Sequence, residues 1–208
     1  MKIEPNLDLK HIFLSALKEK YSRPDREGIH VSNLVYCLRE AYWNKVDPAP
    51  PTEKTLSFFV DGARRHSVLE SLSGARSEVK VERWGIHGTV DMLINGPVEV
   101  KTTRAKSGIP DHYLKQLGYY AALMGVNRGY LIIQRLTAPN PWEFYTVEWT
   151  PEEMQALAED MRKKAQLLQQ ALKNRTPEIL PDPGRDTAWK CRNCLYKKRC
   201  RGIRGERG

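Results

Sequence analysis

The stretch Thr89-Val90-Asp91-Met92-Leu93-Ile94-Asn95-Gly96-Pro97-Val98-Glu99-Val100-Lys101-Thr102 constrains this chain more than any other. It reads as two strands and a tight turn. Strand side chains alternate faces with a period of two, so Val90, Met92 and Ile94 share one face, as do Val98 and Val100. A two-residue Asn-Gly turn would set Asp91 opposite Val100 and mix the faces. A three-residue loop, Asn95-Gly96-Pro97, sets Ile94 opposite Val98, Met92 opposite Val100, Asp91 opposite Lys101 and Leu93 opposite Glu99. Pro97 suits that loop because it cannot donate to the ladder. The expectation is one purely apolar face and one face carrying two carboxylates and a lysine.

That second face has a chemical reading. Asp91 and Glu99 supply hard oxygen ligands for Mg²⁺ or Mn²⁺. A metal held there lowers the pKa of its bound water from about 15.7 towards roughly 7. Lys101, two residues beyond Glu99 on the same face, can orient that water and contact a scissile phosphate. The plainer alternative is a solvated strand face with a cross-strand Asp–Lys pair.

The chain has 208 residues, 40% hydrophobic and 28% charged, which fits one domain with additions and a real core. There is no run of eighteen apolar residues and no signal-peptide pattern, so a cytoplasmic protein without a membrane partner is expected. The absence of Gly-x-x-x-x-Gly-Lys-Ser/Thr excludes ATP hydrolysis by a P-loop. The net charge of +9 is uneven: residues 190–208 hold eight Lys/Arg and one Glu, whereas the other residues hold 26 basic and 24 acidic side chains. A basic terminus suggests a polyanion, with a solvated tail as the alternative. Three of the four cysteines form Cys191-x-x-Cys194-x5-Cys200, a spacing that suits a metal better than disulfides in a cytosolic chain. With Cys37 they can complete an iron–sulfur cluster or a zinc site. A three-cysteine zinc knuckle with Cys37 as a core thiol is the alternative.

Periodicity predicts helices over 7–21, from Ser32 to about Asn44, and from about Lys54 to Leu72. Strands are expected at 78–84 and through the Asp91 stretch, giving a three-strand meander, with His87 in the turn 85–88. A helix from about Asp111 to Met124, closed by Gly125, carries Gln116 and Tyr120 on one face, where they can hold DNA or fix Lys101. The apolar run 129–134 reads as a central strand and 142–149 as one nearer an edge. Thr150-Pro151-Glu152-Glu153 is a helix start, and a Pro-rich connector, 176–184, delivers the cysteines. The order gives a mixed α/β sheet with a helical N-terminal part. His66, in the third helix, is a candidate third metal ligand, with Glu70 one turn on as its competitor.

With those residues placed, the chain resembles the RecB-like branch of the PD-(D/E)xK nuclease superfamily, and specifically the CRISPR-associated RecB-like exonucleases, the fourth Cas protein family. His66 fits the helix histidine, Asp91 in Gly-Thr-Val-Asp the second motif, and Glu99-Val100-Lys101 the Glu-x-Lys motif. Gln116-Leu-Gly-Tyr-Tyr120 fits the RecB-specific motif, and Cys37, Cys191, Cys194 and Cys200 fit the cluster cysteines, split one before and three after the core. The resemblance implies a restriction-endonuclease-like core over 77–175, preceded by a helical part, 1–76, with Cys37 and His66. A cluster-binding segment, 176–208, follows, all in one integrated domain. It further implies a metal-dependent nuclease, mainly an exonuclease on single-stranded DNA, with an iron–sulfur cluster of 4Fe–4S or 2Fe–2S type. The implied role is CRISPR adaptation, processing spacer precursors beside the integrase complex of the first and second Cas proteins. A homo-oligomer is compatible with it. Its metal ligands would be His66, Asp91, Glu99 and the carbonyl of Val100, with Lys101 positioning water and Gln116 and Tyr120 supporting the site. Lys197, Lys198 and Arg199 are expected to contact phosphate, and Tyr196 and Trp189 to stack on bases or pack in the core. The rival readings are a RecB-like repair or mobile-element nuclease, a non-catalytic DNA-binding subunit, and a zinc-ribbon binding protein.

Overall fold

The computed structural model describes residues 4, 6–21, 27–57, 59–60, 76–139, 141–183 and 188–205. His66 and Glu70 lie outside these residues, as does most of the expected third helix, of which 53–57 and 59–60 are helical. The helices are α1 (Leu7–Tyr21), α2 (Val31–Val35), α3 (Leu38–Val46), α4 (Asp111–Met124), α5 (Pro151–Asn174) and α6 (Lys197–Gly205). The strands are β1 (Ile29–His30), β2 (Arg76–Arg83), β3 (Ile86–Leu93), β4 (Pro97–Thr103), β5 (Arg128–Arg135) and β6 (Trp142–Glu148).

The strands form one mixed sheet in the order β1-β3-β4-β5-β6, with β2 also paired to β3. The meander β2-β3-β4 is antiparallel, β4 and β5 are parallel, and β6 closes the edge antiparallel to β5. β5 is interior, as its apolar run requires. The parallel β4–β5 pair needs a crossover, and α4 supplies it. Helix α4 ends at Gly125, whose φ of 70° provides the left-handed cap. Helix α5 starts with a closed capping box: Glu153 N–H donates to Thr150 Oγ1 (3.2 Å) and Thr150 N–H to Glu153 Oε2 (2.9 Å). The main core joins α2 and α3 (Leu34, Tyr42), β3 (Ile86, Val90), α4 (Tyr119, Leu123) and α5 (Met161, Leu168).

Several expectations are corrected. The helix from Ser32 to Asn44 is two helices. His30 rather than Ser32 is the first N-cap, because the Asn33 side chain accepts its N–H at 2.8 Å. Cys37 is the extended N-cap of α3. His87 is in β3, not in a turn; the turn is Trp84-Gly85, with φ of 58° and 69°. The β3–β4 register is shifted by two positions from the expected one, and the three-residue loop is Ile94-Asn95-Gly96. Met92 pairs with Val98 and Leu93 with Pro97, which is the first residue of β4. Ile94 N–H donates to Gly96 O at 3.0 Å. Asn95 and Gly96 take φ of 50° and 148°, so the loop turns without Pro97. Asp91 is therefore not opposite Lys101, nor Leu93 opposite Glu99. The apolar face is not continuous either. Val90 joins the helical core, while Met92 packs with Val98 and Val100 in a separate cluster and Ile94 is 46% exposed. The change falls at Asp91, the residue that the β2–β3 ladder skips, opposite Glu78 with its φ of 48°.

Candidate active site

β2 runs along one edge of β3 for its whole length, so β1 and β4 share the other edge. β1 takes Ile86 and His87, and β4 takes only Met92 and Leu93. Between them β3 and β4 part. Asp91 stands at the fork, and its Oδ2 accepts the backbone N–H of Val100 at 2.8 Å. A side chain thus replaces the ladder hydrogen bond, which satisfies the Val100 amide and holds the Asp91 carboxylate beside the Glu99–Lys101 segment.

Glu99 is 2% exposed, and its Oε1 lies 2.5 Å from Lys101 Nζ. Lys101 also donates to Gln116 Oε1 at 2.9 Å, and Gln116 Nε2 donates to Tyr120 OH at 3.2 Å. The Gln116–Tyr120 spacing of one helical turn makes this relay possible. Burial pulls the Lys101 pKa down, but the Glu99 carboxylate more than offsets it, with Tyr36 and Asp91 acting in the same direction, and the ammonium is held above its ordinary value. Lys101 is therefore a fixed cation that can hold a water or a phosphate oxygen.

The structure brings together Asp91, Glu99, Val100, Lys101, Gln116 and Tyr120. It also shows contacts that sequence reading missed. The Lys101 ammonium lies 5.4 Å from the Tyr113 ring centroid, Tyr113 stacks edge-on with His112 (4.6 Å), and His112 contacts Tyr36 (5.3 Å). On Tyr36 sits the Lys190 ammonium, 4.0 Å from the centroid, and Lys190 pairs with Glu40 at 3.0 Å. Aromatic rings thus bridge the lysine to the cysteine segment. The only signal in the sequence was the adjacency of Tyr36 to Cys37 and of Lys190 to Cys191.

A small residue also supports the relay. A Cβ on Gly88 would meet Tyr120 Cε1 at 2.8 Å and Val81 Cγ2 at 3.0 Å. Gly88→Ala is expected to displace Tyr120, loosen Gln116 from Lys101 and slow any reaction that Lys101 serves about tenfold, a 1.4 kcal/mol effect on the barrier. Gly202→Ala, which points into open space, serves as the control. Equal reaction rates for the two variants would show that Tyr120 does not position the lysine.

The cysteine segment docks on α3. Tyr196, 2% exposed, donates to Asn44 Oδ1 (2.6 Å) and accepts Ala49 N–H (2.9 Å). It is therefore a packing residue and not a base-stacking one; the Trp189 side chain lies outside the described residues. Arg199 pairs with Asp47 (2.5 Å) and donates to its carbonyl (2.9 Å), so its guanidinium braces the chain, while Lys197 and Lys198 are exposed. All four cysteines are free thiols. Burial pushes Cys200 up to about 11, and the neighbouring Cys37, Cys194 and Cys191 add to it; Cys37 and Cys194 are raised in the same way, by burial first. Among the described residues, no three of His, Cys, Asp and Glu converge closely enough to hold a metal ion outright. Also among them, no helix is long and apolar enough to cross a membrane.

The family model of the PD-(D/E)XK nuclease superfamily matches residues 9–201. A crystal structure of a protein designated SSO0001 is similar over 91% of this chain and 93% of that chain, with 24% identity and a TM-score of 0.59, a likeness of fold. An alkaline exonuclease from Laribacter hongkongensis (LHK-Exo) is similar over 71% of this chain and 91% of its own, with 10% identity and a TM-score of 0.49. A phage related exonuclease from Haemophilus somnus 129PT is similar over 66% and 81%, at 10% identity and 0.46. No curated protein matches the chain.

Proposed function

The chain belongs to the PD-(D/E)XK nuclease superfamily, and from that premise we propose that it is a divalent-metal-dependent DNA nuclease, mainly an exonuclease on single-stranded DNA, whose cysteines hold an iron–sulfur cluster. The observation that carries this reading is the fork at Asp91, beside which Glu99, Lys101, Gln116 and Tyr120 form one hydrogen-bonded line.

The donor set fits a hard cation: Asp91, Glu99 and the Val100 carbonyl offer oxygens from the two arms of the fork, and the family resemblance would add His66, which lies outside the described residues. When bound, Mg²⁺ or Mn²⁺ would acidify a water and stabilise charge on the phosphate. This chain's own residues do the rest. Lys101, kept protonated, orients the attacking water and meets negative charge on the phosphate. Gln116 and Tyr120 hold Lys101 from α4, and the Glu99 carboxylate balances its charge. The test is cleavage of single-stranded DNA labelled at one end or the other, with Mn²⁺, Mg²⁺ or EDTA. Metal-dependent cleavage is expected, and the product ladder gives polarity and any endonuclease share. A folded protein that cuts nothing under these conditions favours the DNA-binding subunit.

The four cysteines, one before and three after the sheet and none of them in a disulfide, have a spacing that supports an iron–sulfur cluster over a disulfide framework. Binding there would add folding free energy by clipping α3 to the C-terminal segment. Anaerobically purified protein is expected to show visible absorption, and Cys194→Ala to lose it and to melt earlier. A colourless protein carrying stoichiometric zinc would replace the cluster with a zinc site. The motif order supports a role in CRISPR adaptation beside the integrase of the first and second Cas proteins. Failure to co-purify with that integrase, or to shorten spacer precursors in its presence, favours a RecB-like repair or mobile-element nuclease.

A further inference from the structure

The loop between the catalytic strand and the catalytic helix is pinned far more firmly than a surface connection needs. It leaves β4 at Thr103 and enters α4 at Asp111. Arg135, at the end of β5 and 2% exposed, donates from Nη1 to Ala105 O (3.0 Å) and from Nη2 to Gly108 O (2.9 Å). Its Nε donates to Glu143 Oε1 at 2.6 Å, which balances its charge. Three more bonds fix the start of the loop: Leu136 N–H to Thr103 O (2.9 Å), Ala105 N–H to Thr103 Oγ1 (3.0 Å) and Thr137 Oγ1 to Arg104 O (3.3 Å).

Burying a guanidinium is costly, and it is retained where its fork satisfies several acceptors. Here it spends two arms on the carbonyls of one exposed loop. What that loop presents outward is Arg104 and Lys106, both exposed. Among the described residues, neither has an ion-pair partner. Arg104 is the first residue beyond β4, three positions after Lys101 in the chain, hence within roughly 10 Å of it. That spans about one to two nucleotides of an extended single strand.

We infer that the loop 104–108 is a phosphate-binding rim of the active site, with Arg104 and Lys106 gripping the backbone of the DNA strand next to the cleavage point and Arg135 as the positioning residue beneath them. This inference rests on the nuclease reading and names where that substrate is held. A fixed cationic rim meets phosphate without losing further loop entropy, and each contact releases condensed counterions.

The test is a salt titration of the binding of a labelled single-stranded oligonucleotide to the full chain in EDTA, where it is not cut. Arg104→Ala/Lys106→Ala is expected to reduce the slope of log K against log salt by about 1.4, two contacts at roughly 0.7 each. With Mn²⁺ restored, the same variant should raise KM and leave kcat near wild type. The pair Lys18→Ala/Lys20→Ala, on the exposed face of α1, removes equal charge elsewhere and is expected to keep the wild-type slope. Arg135→Met, if folded, should weaken binding with both surface cations still present. An unchanged slope in the Arg104/Lys106 variant, or an equal fall in the Lys18/Lys20 control, overturns the rim and leaves the nuclease reading standing. A wild type that binds no single strand overturns both.

Discussion

Lys101→Ala is expected to reduce DNA cleavage by a factor on the order of 10³ while the protein stays folded. The ammonium is held from two directions, by Glu99 Oε1 at 2.5 Å on its own strand and by Gln116 Oε1 at 2.9 Å on α4. A cation fixed before the substrate arrives stabilises developing charge without reorganisation, and this is what alanine removes. The substitution also strips Glu99, 2% exposed, of the cation that balances it, so its carboxyl should move towards protonation. Water can follow into the gap, because Lys101 is 17% exposed. The stability cost should stay near 1–2 kcal/mol, or roughly 2–8 °C of melting temperature. Lys101→Arg keeps the charge but exchanges a compact ammonium for a planar fork, and should recover the melting temperature better than the rate. Single-turnover cleavage and thermal melting of the three proteins check this. Cleavage by Lys101→Ala within tenfold of wild type would remove Lys101 from the reaction.

The largest expected loss of stability is from Arg39→Ala, about 3–4 kcal/mol, or roughly 6–16 °C of melting temperature. Arg39 is 2% exposed; its Nε donates to Leu180 O at 3.0 Å, and Nη1 pairs with Asp182. Asp182 is itself 55% exposed, so the ion pair contributes little. The cost comes from the Leu180 carbonyl left buried without that donor, and from the cavity where the side chain lay. Asp182→Asn should therefore cost under about 1 kcal/mol. Because Arg39 joins α3 to the chain leaving α5, its loss should also loosen the cysteine segment and lower any metal content. A melting temperature for Arg39→Ala within 2 °C of wild type, or equal effects from Arg39→Ala and Asp182→Asn, would refute this division.

What the sequence determined by itself was local. Helical periodicity and the Thr150 capping box, the Gly125 stop and the apolar run of β5 set element types with bounds within a residue or two, since these signals act between neighbours in the chain. Gln116 and Tyr120 were placed on one face by the helical turn alone. The tertiary structure decided the rest. The β2–β3 ladder skips Asp91, Val90 and Met92 fall in different core clusters, and β4 pairs with β3 two positions away from the expected register. Asp91 then bonds a backbone amide where a cross-strand Lys101 was expected, and Lys101 finds its partners on its own strand and on α4. Arg199 was expected on DNA phosphate and Tyr196 either on bases or in the core; both are used in docking the C-terminal segment on α3 and its C-cap. Arg135 is invisible as a support in sequence, because the carbonyls it holds are about thirty residues away. Contacts of that separation depend on how strands are ordered in the sheet, and neither periodicity nor residue type encodes that order locally.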